Sequence, residues 1–294
     1  MSSSYGAGVV QQRERAVLRR PEVAFVVVAY AWSWAWWVPM AALGVTTRAG
    51  QTWPTHLPGL LGPAIAAVVV TAAVSGRAGL ADLGHRIVRV RVGWFWYAVL
   101  GATAAIGAGA IAVQGLLGRG WPSAEELSTY SGAGLMPWLV LVLLVLVVNG
   151  FGEETGWRGF LVERWAPGRS LLRTSLLVAA VWAPWHLPLF WVSESFQSFG
   201  PAGTAGWLVS ITAGSVVLTW MYLGSGASIW IVALWHTAFN MVTAMPAGAD
   251  LAAPLLSAAV IAAAVVLVRH TPTNGASGAA DKTAHAGQQS VAHR

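Results

Sequence analysis

Run after run of about 20 apolar residues recurs along this chain, each long enough as a helix to cross a hydrocarbon core of roughly 30 Å. They cover 23–45, 59–75, 94–118, 136–162, 171–192, 204–223, 227–245 and 251–268. The expected fold is all-α, a polytopic transmembrane helix bundle of about eight spans. Composition agrees: 56% of the residues are hydrophobic and 10% charged, where a soluble domain carries about 25% charged residues.

The charges sit between the runs and alternate in sign from one side to the other. Arg13, Arg15, Arg19 and Arg20 precede the first run; Arg77, Arg86, Arg89 and Arg91 follow the second; Arg164, Arg169 and Arg173 follow the fourth; Arg269 and Lys282 follow the eighth. The opposite side has Arg48 and Arg119 with Glu125, Glu126, Glu194 and Asp250. The arginine bias therefore predicts a cell-membrane protein with both termini in the cytoplasm. No short apolar core with a small-residue cleavage site opens the chain, so the first run reads as a retained span. The domain division that follows is a basic N-terminus at 1–22, a transmembrane domain at 23–268 and a polar tail at 269–294. That tail is too poor in apolar residues to order itself.

Several function classes drop out. The net charge of +6 is spread over short runs and makes no single basic patch of the kind nucleic acid needs. With no cysteine, disulfides, thiolate metal sites and a cysteine nucleophile are excluded. Among 18 tryptophans, Trp94, Trp96, Trp121 and Trp138 lie where spans should meet headgroups, the layer that tryptophan favours. No internal repeat of fixed period appears, and no matching pair of Gly/Pro-broken spans marks a transporter built from two halves.

Three runs contain groups that are costly in lipid, about 2.5 to 3.5 kcal/mol each at the centre of a span. The fourth holds Glu153, Glu154 and Arg158. Glu154 and Arg158 share a helix face and can pair, whereas Glu153 is turned about 100° away, so one acid can be structural while the other stays free. The plainer alternative is a helix that ends early and leaves all three charges solvated at the interface. The fifth run holds His186 between Pro184 and Pro188, where the missing amide donors loosen the helix; a lone histidine there is more often a satisfied core residue. The seventh holds His236 and Asn240, one turn apart on a shared face. Counting about 1.5 Å of rise per residue from the basic side, Glu153 and His236 lie roughly 15 Å deep and His186 about 20 Å, so the three can converge.

Such a constellation can hydrolyse a bond, bind an ion or relay protons. For hydrolysis, a shielded glutamate takes a proton from water with a neutral histidine sharing the work, a role that fits Glu153 and His186. His236 and Asn240 then offer donors to a developing oxyanion. A zinc version is also open, since two histidines and a glutamate form a known catalytic set; its ligands would be Glu153, His186 and His236, although no His-Glu-x-x-His pair shares one helix. Transport remains an alternative, a proton- or ion-coupled carrier in which these groups form the relay.

Glu-Glu-x-x-x-Arg at 153 to 158, aromatic-x-x-x-His at 182 to 186 and His-x-x-x-Asn at 236 to 240, each within a span, resemble the motifs of one family. It is the CAAX protease and bacteriocin-processing (CPBP, or Abi) family of intramembrane endopeptidases, which includes the type II CAAX prenyl proteases. The resemblance covers roughly 136 to 245. It implies a helical bundle with a cytoplasm-facing cavity and a peptide or membrane-protein substrate, prenylated in some members. Glu153 and His186 would activate water, His236 and Asn240 would stabilise the oxyanion, and Glu154 with Arg158 would support them. Trp182 departs from the family's usual phenylalanine. Members have been described both as metalloproteases and as metal-free glutamate proteases; the metal-free chemistry is favoured here and zinc stays open. A member that kept the fold without catalysis, as a binding or immunity protein, is the remaining alternative.

Overall fold

The computed structural model describes residues 20–271, and these form a helical bundle with no strand. The helices are α1 (Pro21–Ala42), α2 (Gly62–Ile87, led in by a 3-10 turn at Leu57–Leu61) and α3 (Trp94–Leu116). After them come α4 (Trp138–Trp165), α5 (Leu171–Trp185), α6 (Leu189–Val192), α7 (Glu194–Gln197), α8 (Gly200–Gly224), α9 (Ile229–Thr243) and α10 (Ala252–His270). The basic N-terminal residues before Arg20, and Lys282 with the polar tail beyond Thr271, lie outside the described residues.

Among the described residues seven spans are long and apolar enough to cross a membrane, so this is a multi-pass membrane protein. The predicted seventh run is the exception to the expected count of eight. It folds as α9, 15 residues and so about 22 Å long. Its neighbours are α3, α4, α8 and α10, and a helix wrapped by other helices has no need to match the full thickness of lipid. The second run also departs from expectation. Residues 77–87 are helical instead of forming a basic loop, because α2 continues through a kink at Gly76, whose backbone has φ 59°.

That continuation carries Arg86 back into the protein. Its guanidinium donates to Gly159 O at 2.9 Å, Glu163 Oε2 at 3.1 Å and the Tyr222 hydroxyl at 2.8 Å, and pairs with Asp82 at 2.7 Å. One side chain thus fastens α2, α4 and α8 together at the basic end. Beside it, Arg89 donates to Gly226 O and Ser228 donates to Arg89 O, so the α2–α3 link and the α8–α9 turn lie on the same side.

At the opposite end the loops interlock. Thr47 bridges to Ser193, Ala49 to Ser131 and Gly50 to Gly134. His56 sits within this cap, with its Nδ1 2.8 Å from Thr47 Oγ1. Burial pushes its pKa down to about 4.

The centre of the bundle is α4, 61% of whose most apolar stretch is buried against 22% for the peripheral α3 and α10. It is not a uniform helix. Leu146–Phe151 and Trp157–Val162 are π-helical and enclose one α-helical turn, Gly152–Gly156. π turns are rare and concentrate at functional sites. Close approach is built in as well: a Cβ on Gly156 would lie 2.5 Å from Pro63 Cβ, so α2 meets α4 at backbone distance, as small residues allow in membrane bundles.

Candidate active site

The turn enclosed by the two π segments carries both glutamates. Glu154 is 0% and Glu153 2% exposed, which disposes of the solvated-interface alternative. Glu154 Oε1 accepts from Arg158 Nη1 at 2.9 Å and lies 2.7 Å from His236 Nδ1. The expected Glu154–Arg158 pair is therefore formed, and it recruits α9 as well. Two buried charges in contact offset much of each other's desolvation.

Glu153 faces α5 instead. Its Oε2 accepts from the Trp182 indole N–H at 2.7 Å. The two acids do separate duties, as their angular offset on the helix predicts.

His186 is held by the way α5 ends. Pro184 and Pro188 bracket the terminus, and the backbone N–H of His186 turns to Ala183 O at 3.2 Å, one residue short of the α-helical partner. That leaves Trp182 O to the imidazole, whose Nδ1 lies 2.9 Å away. A carbonyl can only accept, so Nδ1 carries the hydrogen and Nε2 of the neutral ring presents a lone pair. The open side of the ring meets aromatic groups, Phe196 at 6.0 Å and Trp207 at 5.5 Å between centroids.

Trp182, which the sequence marks only as a departure from the family's usual phenylalanine, is a hub: its N–H holds Glu153 and its carbonyl holds His186. Its ring lies 5.7 Å from that of His236, and the Arg158 guanidinium sits 4.5 Å over it. The aromatic face compensates an arginine whose Nε and Nη2 have no hydrogen-bond partner. Glu153 and His186 consequently communicate through Trp182, with no hydrogen bond between them. Asn240 is half-buried on α9, while the Tyr130 hydroxyl reaches Asn149 Oδ1 at 3.4 Å, a contact no motif signalled. Asn149 was legible in principle as a polar residue four positions before Glu153 in an apolar run.

For the zinc set, no group of three His, Cys, Asp or Glu side chains close enough to hold a metal occurs among the described residues. Glu153, His186 and His236 each spend one polar atom on a protein partner and keep another, so each could ligate singly, but the three are not placed as one set.

Residues 135–242 match the family model described as type II CAAX prenyl endopeptidase Rce1-like. Over 106 residues the chain is 32% identical to CAAX prenyl protease 2 of Methanococcus maripaludis, a match covering 35% of this chain and 39% of that protein. The matched stretch is thus similar to the CAAX protease family. The match spans about two fifths of the length of that relative. Glu153, Glu154, Arg158, Trp182, His186, His236 and Asn240 all fall within the matched segment; α1, α2, α3, α10 and the outer loops before residue 135 do not.

Proposed function

We propose that this protein is an intramembrane endopeptidase that hydrolyses a peptide bond of a membrane-associated substrate near the cytoplasmic face, with both termini on that side. The observation that carries the reading is the division of labour on one helical turn: Glu154 is locked between Arg158 and His236, while Glu153 is held by one oxygen only. The remaining oxygen of Glu153 has no protein hydrogen bond.

In the reaction, that oxygen accepts a proton from water as the water oxygen bonds to the carbonyl carbon, and His186 Nε2 orients the water through its lone pair. Negative charge collects on the carbonyl oxygen, which takes hydrogen bonds from the Asn240 amide and from Nε2–H of His236 when that ring carries both protons. The tetrahedral species then expels the amine, whose nitrogen takes the proton back from Glu153. The chemistry needs no metal in this form. The substrate reading draws on the name of the Methanococcus relative, a CAAX prenyl protease, so a prenylated C-terminal tail is the first substrate to try.

The test is to incubate wild type and Glu153→Gln with a peptide panel that includes prenylated C-terminal tails and bacteriocin leaders, reading cleavage sites by mass spectrometry with and without chelator. Cleavage by wild type alone that persists in chelator is the expected result. Equal cleavage by Glu153→Gln overturns the reading, and loss of cleavage in chelator overturns its metal-free form.

A further inference from the structure

The end of α5 leaves one carbonyl without a donor from its own segment. From His186 onward the backbone takes tighter, three-residue steps: His186 N–H donates to Ala183 O at 3.2 Å, Leu187 N–H to Pro184 O at 3.0 Å and Leu189 N–H to His186 O at 2.8 Å. The absent member of that series is residue 188 to Trp185 O, because Pro188 has no N–H. The next donor along, Leu189 N–H, is already spent. Inside a membrane bundle no bulk water compensates an unpaired carbonyl, which costs several kcal/mol.

The first helix supplies the donor. The Trp34 indole N–H donates to Trp185 O at 3.0 Å. One turn earlier the Tyr30 hydroxyl donates to Val181 O at 2.5 Å. Ser33 Oγ accepts from the Trp185 indole N–H at 2.9 Å and gives its own hydrogen to Gly59 O at 2.6 Å. Residues 30, 33 and 34 share one face of α1 by their spacing, so that face is a row of polar groups matched to the broken end of α5.

Trp185 C=O and His186 N–H belong to one peptide unit, and such a unit is planar. Here it is held at both edges, the N–H by Ala183 O and the carbonyl by Trp34. Its plane sets the direction in which the His186 side chain leaves the backbone, and the contact of Nδ1 with Trp182 O at 2.9 Å then fixes the ring. Without the indole, the carbonyl is free to turn towards another donor and carries His186 with it.

We infer that Trp34 is a positioning residue for His186: it fixes the peptide unit from which the imidazole hangs and so aims Nε2 at the reacting water. This rests on the water-orienting role proposed for His186. Trp34 lies outside residues 135–242, the stretch matched by the family model, so the inference comes from the contacts alone.

The experiment uses the full chain reconstituted in lipid nanodiscs, as wild type, Trp34→Phe and Trp32→Phe. Trp32 is the control, a tryptophan of the same helix whose indole N–H donates to Pro58 O instead of to α5. Tryptophan labelled with 13C at the carbonyl, together with 15N-histidine, marks two peptide units, Trp185–His186 and Trp235–His236, the two Trp-His pairs of the sequence. His186→Gln identifies the first by its loss. In NMR spectra Trp34→Phe should shift the Trp185 carbonyl signal upfield, as loss of a hydrogen bond does, and leave the Trp235 signal in place. On the peptide that wild type cleaves best, kcat should fall about 10- to 100-fold, the scale for a misplaced catalytic group, with KM within about twofold. Trp32→Phe should match wild type in both measurements. A Trp185 signal that stays, a Trp235 signal that moves with it, a Trp34→Phe kcat within about twofold of wild type, or an equal loss in Trp32→Phe overturns the inference. Should wild type cleave none of the peptides, the endopeptidase reading fails, and the ring 15N signals of His186 decide in place of kcat. Their displacement in Trp34→Phe supports the positioning role, and unchanged signals overturn it.

Discussion

Replacing Trp182 by phenylalanine is the most incisive single change, because it keeps an aromatic ring in place and deletes one N–H. That N–H lies 2.7 Å from Glu153 Oε2, and a hydrogen bond to a charged group contributes about 1.5–3 kcal/mol. The smaller ring also weakens the stacking of Arg158, now 4.5 Å above the indole, by about 0.5 kcal/mol. If roughly 2 kcal/mol of this is expressed in the transition state, where the orientation of Glu153 matters most, kcat falls about 30-fold. KM changes little, since no substrate contact is removed. Trp182→Leu, which also strips the aromatic face from Arg158, should lose more activity and melt at a lower temperature than Trp182→Phe. The assay is steady-state cleavage of one peptide by the three proteins, with melting temperatures alongside. A Trp182→Phe protein within about twofold of wild-type kcat would show that Glu153 is positioned by something other than the indole.

Arg158→Met leaves Glu154 buried beside His236 without its cation, and breaking such a pair costs about 3–5 kcal/mol; unfolding in mixed micelles by graded SDS measures it, and a loss under about 1 kcal/mol would count against the buried pair. Gly156→Ala drives a methyl group into Pro63 and should cost about 1–3 kcal/mol by overpacking, read as a lower melting temperature, whereas Gly101→Ala, with open space around it, should melt as wild type does. His56 is neutral when folded, with its pKa pushed down to about 4 from an unfolded value near 6.5. Its contribution is therefore complete above pH 6.5 and lost as pH falls from about 6.5 to about 4, about 3 kcal/mol in all. Melting curves across that interval should slope less for His56→Leu than for wild type, and parallel slopes would refute the assignment.

The membrane spans were legible because lipid imposes a length and a hydropathy on any helix that crosses it, and Pro184 and Pro188 announced the end of α5 around His186. Glu153, Glu154, Arg158, His186, His236 and Asn240 stood out for the related reason that ionisable and amide groups are costly in an apolar run. What stayed hidden depends on three dimensions. The π turns of α4 have no residue signature, since they arise from packing around the helix. The short length of α9 followed from burial among other helices, which hydropathy does not register. Arg86 reads as one more basic residue at the end of an apolar run, and only the kink at Gly76 returns it to the interior. Tyr130 sits in a loop of ordinary composition, and its inward path depends on backbone contacts from segments far away in sequence.

The fastening of α4 by Arg86 makes that helix a rigid mount for the side chains it carries. A helix tied to α2 and α8 through one buried guanidinium at its basic end, and seated against Pro63 at Gly156, cannot slide or roll without breaking several contacts at once. On the proposed mechanism Glu153 would therefore ride on a fixed anvil, and substitutions at Arg86 or Gly156 would reach the chemistry only by loosening the seat of the helix that carries it.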